Sequence, residues 1–154
     1  MIAPASVTVH ATSIAIGRSG VLLLGPSGSG KSDLALRLID QPARPALELA
    51  RLVADDQTVL SLTAGRLLAS APPVLLGRLE VRGLGIVRLD GGQVTQRAPI
   101  VLAVELVAPE RVERLPEPAR YEMLGVGLPL LRLAGLEPSA PAKLRLALKT
   151  LAAR

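Results

Sequence analysis

The chain has 154 residues, 49% of them apolar and 20% charged, with no cysteine. That length and apolar share supply one ordinary hydrophobic core, which excludes a disordered tail or a disulfide-stapled miniprotein and gives a single domain, residues 1–154, as the expectation. Lys plus Arg come to 18 against 13 acidic residues, a net +5 that is scattered rather than gathered in a run, and Tyr121 is the sole aromatic residue, so the stacking platforms of single-stranded nucleic-acid binders are missing.

Residues 1–17 carry no basic start and are broken by Ser6, Thr8, His10, Thr12 and Ser13, so a secretory leader is not expected. No stretch has the roughly 18 continuous apolar residues of a membrane span. Residues 7–16 alternate apolar and small polar side chains, the period of a strand with one buried face. The turn residues Gly17-Arg18-Ser19-Gly20 lead back into Val21-Leu22-Leu23-Leu24, apolar at every position as in a strand buried on both faces of a helix-covered sheet. Leu34, Ala35, Leu38 and Ile39 recur at helical spacing, and Pro42 and Pro45 end that helix.

A second buried strand is expected over residues 51–54, stopping at Asp55-Asp56. A hairpin over residues 59–62 and 67–69 turns at Thr63-Ala64-Gly65-Arg66 and is closed by Pro72-Pro73. Further strands are expected over residues 79–81, 85–89 and 100–107, with Asp90-Gly91-Gly92 as a turn and residues 109–118 as a surface excursion. Ser139 caps a last helix with Pro141 in its first turn, on which Leu144, Ala147, Leu148 and Leu151 share one face.

Gly25-Pro26-Ser27-Gly28-Ser29-Gly30-Lys31-Ser32 fits the P-loop pattern at every fixed position, after a buried strand and at the start of a helix. Its glycines let backbone N–H groups turn inward around phosphate oxygens, Lys31 reaches the β and γ phosphates, and Ser32 ligates magnesium. Such a site needs a carboxylate for the metal and, in a kinase, one for the acceptor. Asp55 and Asp56 stand at the end of an apolar strand, where adjacent side chains point to opposite sides and need not share a job. Without the P-loop they read equally well as a solvated turn.

Glu80-Val81-Arg82-Gly83-Leu84-Gly85 is a third constellation, with Glu80 and Arg82 on one strand face and two glycines permitting a tight turn. An exposed ion pair is its plainer reading. His10, among apolar neighbours in the first strand, reads by itself as a satisfied sheet residue.

Taken together, Val9-His10 before the P-loop, the Leu52-Val53-Ala54-Asp55-Asp56 strand and the Glu80 to Gly85 hexapeptide resemble the HPr kinase/phosphorylase family. The likeness runs over residues 7–87, with a looser echo to the C-terminal helix. It implies an α/β fold of the phosphoenolpyruvate carboxykinase-like nucleotide-binding type, a mixed sheet flanked by helices. It implies a cytoplasmic, ATP- and magnesium-dependent enzyme, often a hexamer, that phosphorylates a serine of the phosphocarrier HPr in phosphotransferase-system regulation and can reverse the step by phosphorolysis. Nucleic acid and membrane are not among the implied partners.

Carried over by position, the resemblance makes Asp55 the base, gives Ser32, Asp56 and Glu80 to magnesium, Lys31 and the rest of residues 25–32 to the nucleotide, sets His10 beside Asp55, and has Arg82 secure the site. Against the family pattern the chain looks like the catalytic-domain-only form, and it departs from that pattern in an insert around residues 42–49, in the short path from Gly85 to Asp90, and in Pro141-Ala142-Lys143 where Gly-Arg-Asn is expected. Two other readings stay open. One is a small-molecule kinase with an arginine-bearing lid at Arg111, Arg114 and Arg120; the other is a nucleotide-gated module without catalysis.

Overall fold

The structure is a computed structural model describing residues 5–41 and 45–152. The alternating stretch expected as one strand divides at Ala11 into β1 (Ser6–His10) and β2 (Thr12–Ile16). β3 (Ser19–Leu24) returns antiparallel to β2 after Gly17, whose φ of 60° suits glycine, and the P-loop then leads into α1 (Lys31–Ile39). α1 stops at Asp40, whose amide donates to the carbonyl of Leu36; the expected stop at Pro42 lies outside the described residues.

The next apolar run is likewise interrupted, at Asp55-Asp56, between β4 (Ala50–Ala54) and β5 (Gln57–Thr63). β2 pairs antiparallel with β4, and β1 with β5. Both ribbons bend at one level, where the amide of Ala11 donates to the carbonyl of Asp56 at 3.0 Å and Asp56 takes a left-handed φ of 66°. The bend, invisible to residue periodicity, sets the two aspartates at a corner of the sheet.

β6 (Arg66–Ser70) completes the expected hairpin with β5. β7 (Arg78–Val81) and β8 (Gly85–Arg88) form a separate two-stranded arm. Leu79, fully buried, ties that arm into the core beneath α1. β9 (Arg97–Leu106) begins before the expected residue 100, because Arg97 to Pro99 pair antiparallel with β6 while the rest of the strand runs parallel to β3. Pro99 stands where the partner changes, a place where a missing N–H is tolerated.

β10 (Ala119–Met123) and β11 (Val126–Leu133) were not expected as strands; β11 pairs parallel with β9 over its last residues, and Pro129 falls just before that stretch. α2 (Ala140–Ala152) starts as read, with the Ser139 carbonyl accepting from the amide of Lys143 at 2.9 Å.

The main sheet has the order β1-β5-β6-β9-β3-β2-β4, with β11 and β10 added beside β9. Its ends, β1 and β4, run on into β2 and β5, so the sheet curls on itself. Two cores result. Val21 and Leu23 join Ile14, Leu34, Leu38, Leu102, Leu144 and Leu148 between the sheet and both helices. Leu22 joins Ala15, Val53, Leu60, Leu67 and Ile100 inside the curl. The expectation of a sheet flanked by helices is corrected here: α1 and α2 cover the same core, and the other face of β3 is covered by strands. Residues 21–24 of β3 are all apolar because they feed both.

Candidate active site

The P-loop connects β3 to α1, and its conformation explains its glycines. Gly25 has φ 146°, and a side chain there would put Cβ 2.6 Å from the Ser29 hydroxyl; Gly28 and Gly30 have φ 85° and 100°. Only glycine fits such backbone without strain, and a loop of this kind can turn amides inward around an anion. Lys31 is buried, and its Nζ donates to the carbonyls of Gly25 at 2.6 Å and Pro26 at 3.1 Å, using two of its three N–H groups on the loop it belongs to.

Next to it the Ser32 hydroxyl donates to Asp55 Oδ1 at 2.6 Å. Asp55 is buried and holds two more donors: Thr12 Oγ1 at 2.8 Å on Oδ1, and the Glu80 amide at 2.9 Å on Oδ2. A buried carboxylate is stable only when so satisfied. One side chain thereby joins β2, α1, β7 and the sheet corner.

Asp56 faces the other way. It is half exposed, and its Oδ1 lies 3.1 Å from Nδ1 of His10, itself half exposed. The expected placement of His10 beside Asp55 is therefore corrected: the sheet register sets His10 opposite Gln57, one residue from Asp56. A second correction concerns Arg82. β7 ends at Val81, so Arg82 sits in the turn to β8 rather than on a strand face with Glu80. Both still line the same cavity.

That cavity, about 620 Å³, is bounded by Ser27, Lys31, Ser32, Asp56, Glu80 and Arg82 among others. A smaller one of about 170 Å³ lies beside it, bounded by Asp55, Asp56, Gln57, Leu75, Arg78, Glu80 and Ile86. Asp56 and Glu80 are common to both. The residues singled out in the sequence are thus gathered in one place, with Asp55 below the P-loop serine and Asp56 on the wall between two cavities. Thr12 was missed as a site residue; the signal for it was a threonine two positions after His10, where a buried strand calls for an apolar side chain. Arg111, Arg114 and Arg120 line neither cavity, and Arg120 donates to the Gly127 carbonyl across β10 and β11.

Among the described residues no three His, Asp or Glu side chains form a self-contained metal cluster. Ser32 with the carboxylates of Asp55, Asp56 and Glu80 is a small set of hard oxygen donors, the chemistry that suits magnesium completing its shell with water and phosphate.

Residues 2–137 match the model of the HPr Serine kinase C-terminal domain. The chain belongs to that family. Relatives named HPr kinase/phosphorylase include one from Bordetella pertussis, 39% identical over 128 residues (77% of this chain and 39% of the relative), and one from Clostridium botulinum, 29% identical over 128 residues (83% and 39%). The chain thus spans 39% of the length of these HPr kinase relatives. A solved HPr(Ser) kinase/phosphatase structure from Coxiella burnetii superposes with a TM-score of 0.78 at 27% identity, covering 93% of this chain and 88% of that one. Family membership makes this chain an HPr Serine kinase C-terminal domain. No described helix is long and apolar enough to cross a membrane.

Proposed function

We propose that this chain is the catalytic domain of an ATP- and magnesium-dependent serine kinase acting on HPr, of the phosphoenolpyruvate carboxykinase-like nucleotide-binding type. The observation that carries it is the Ser32–Asp55 hydrogen bond at 2.6 Å beneath a glycine-formed anion cradle, with a second, differently placed carboxylate two cavities share. In this reading Lys31 and the amides of residues 25–32 grip the β and γ phosphates, and Ser32, held by Asp55, takes the metal together with Glu80. Magnesium bound there would neutralise charge on the phosphates.

The roles expected of the two aspartates are exchanged. Asp55 is buried, with its oxygens committed to Ser32, Thr12 and Glu80, and borders only the smaller cavity. Asp56 is accessible, borders both cavities and has His10 at 3.1 Å. Asp56 therefore accepts the hydrogen of the serine hydroxyl as its oxygen attacks the γ phosphorus and ADP leaves, with His10 fixing the carboxylate; Arg82 reaches the transferring group from the hairpin turn. Catalysis is positioning plus electrostatics. HPr as acceptor, a cytoplasmic setting and hexameric assembly come with the family likeness.

The test is to incubate the purified chain with ATP, magnesium and HPr, and in parallel with a panel of sugars and nucleotides. Mass spectrometry should find one phosphoserine on HPr and no modified small molecule. A labelled small molecule would favour the small-molecule kinase, and ATP binding with no acceptor modified would leave a nucleotide-gated module. Inorganic phosphate with phosphoserine-HPr in place of ATP and HPr reads the reverse direction.

A further inference from the structure

The larger cavity has two chemically different kinds of lining. Lys31, Ser32, Asp56, Glu80 and Arg82 supply charge and hydrogen-bonding groups; Leu36 of α1, Leu136 and Val81 supply carbon. Leu136 is unusual among large apolar residues in being 65% exposed while sitting against the P-loop: a Cβ added to Gly30 would fall 2.9 Å from its Cδ2. It is also held in place. Arg37 donates to the Gly135 carbonyl and, at 3.0 Å, to the Glu137 carbonyl, one on either side of Leu136, and is itself steadied by Asp33 at 2.8 Å. Gly135 packs so tightly that an added Cβ would lie 2.7 Å from Leu106 Cδ1 and 2.8 Å from the Ser29 carbonyl. A braced backbone that presents a leucine to an open cavity is a surface built to be covered.

What covers it follows from the neighbouring loop. A nucleoside triphosphate gripped through its phosphates carries a flat apolar base that must lie against something. Tyr121, the chain's one aromatic residue, packs against the core inside the curled sheet and lines neither cavity, and His10 is paired with Asp56. We propose that Leu136, with Leu36 beside it, is the platform on which the nucleoside base rests, positioned by the Arg37 clamp. This deepens the reading of the cavity as a nucleotide site and rests on it. Asp33, a polar residue of α1 that also lines the cavity, is bonded to Arg37. Contact is therefore with carbon, and the base contributes affinity by burial without its edge being read.

The experiment compares dissociation constants for ATP and for inorganic tripolyphosphate, which has no base, both with magnesium, in the unmodified chain and in Leu136→Ala, Leu136→Met and Lys31→Ala. Because Leu136 is exposed, its truncation leaves the fold intact, which circular dichroism checks. Leu136→Ala should weaken ATP about five- to tenfold, the share of an apolar contact, and leave tripolyphosphate unchanged, while Leu136→Met restores ATP. Equal loss of both ligands, or no loss of ATP, overturns the platform. Failure of the underlying reading looks different: Lys31→Ala would then leave both ligands unaffected.

Discussion

Asp55 and Asp56 are neighbours in sequence and opposites in environment. Thr12 holds Asp55 Oδ1 and also accepts from the Asp56 amide at 3.2 Å, so its hydroxyl sits between the two. Thr12→Val keeps the shape and removes that hydroxyl from a fully buried place. We expect a loss of about 1.5–3 kcal/mol, the usual worth of a hydrogen bond to a charged group, read as a lower urea midpoint at unchanged slope. That the two carboxylates face different surroundings was legible from strand alternation; which one meets His10 was not, because the left-handed turn at Asp56 and the register that brings in His10 depend on how the sheet bends. Tyr121 gives a cleaner residue-scale test. Burial holds its phenol above the usual tyrosine range. The folded state keeps the proton longer than the unfolded one, so the stability this group contributes is complete below about pH 10 and is lost as pH rises beyond it. With no tryptophan present, absorbance titration near 295 nm should show a higher midpoint in the native protein than in denaturant; equal midpoints would contradict the burial.

At the scale of elements, the strand–loop–helix unit was legible because each part has a local cause: apolar residues in β3, glycines in the loop, helical spacing in α1. β10 and β11 were not. Pro129 and the charges of Arg120 and Glu122 weaken the pattern, and β11 owes its place to pairing with β9, a non-local partner. Close packing within β3 gives a sharp prediction. Gly20 lies where β3 slips register against β9, and a Cβ there would meet the Pro99 carbonyl at 2.5 Å. That carbonyl is backbone and cannot swing aside, and Ile100 Cδ1 lies at 3.0 Å as well. Gly20→Ala should cost about 1–3 kcal/mol and lower the Tm by several degrees; calorimetry showing an unchanged Tm would mean that the two strands separate more easily than their hydrogen bonding implies. The arm formed by β7 and β8 was read correctly as two strands, but its separation from the main sheet is a tertiary fact. It places Glu80 and Arg82 at the cavity while leaving Leu84 and Ile86 exposed.

For the molecule as a whole, the curled sheet is what makes the site. Two ribbons bend at Ala11 and Asp55-Asp56, the bend faces the P-loop, and Leu79 anchors the β7–β8 arm against the same core as α1. Nothing in residue periodicity announces the curl; of the motifs that meet at it the P-loop was readable alone, and Asp55-Asp56, Glu80 to Gly85 and His10 only in combination with it. The account stands on one division of labour: Asp55 secures Ser32, and Asp56 serves the incoming serine. Single-turnover transfer from ATP to HPr, with ATP affinity measured on the same samples, tests it directly in Asp56→Asn and Asp55→Asn. Asp56→Asn should bind ATP with magnesium within about threefold of the unmodified chain and lose about 10²- to 10⁴-fold in rate, the worth of a positioned base, while Asp55→Asn should lose affinity as well. Transfer at full rate by Asp56→Asn would contradict it.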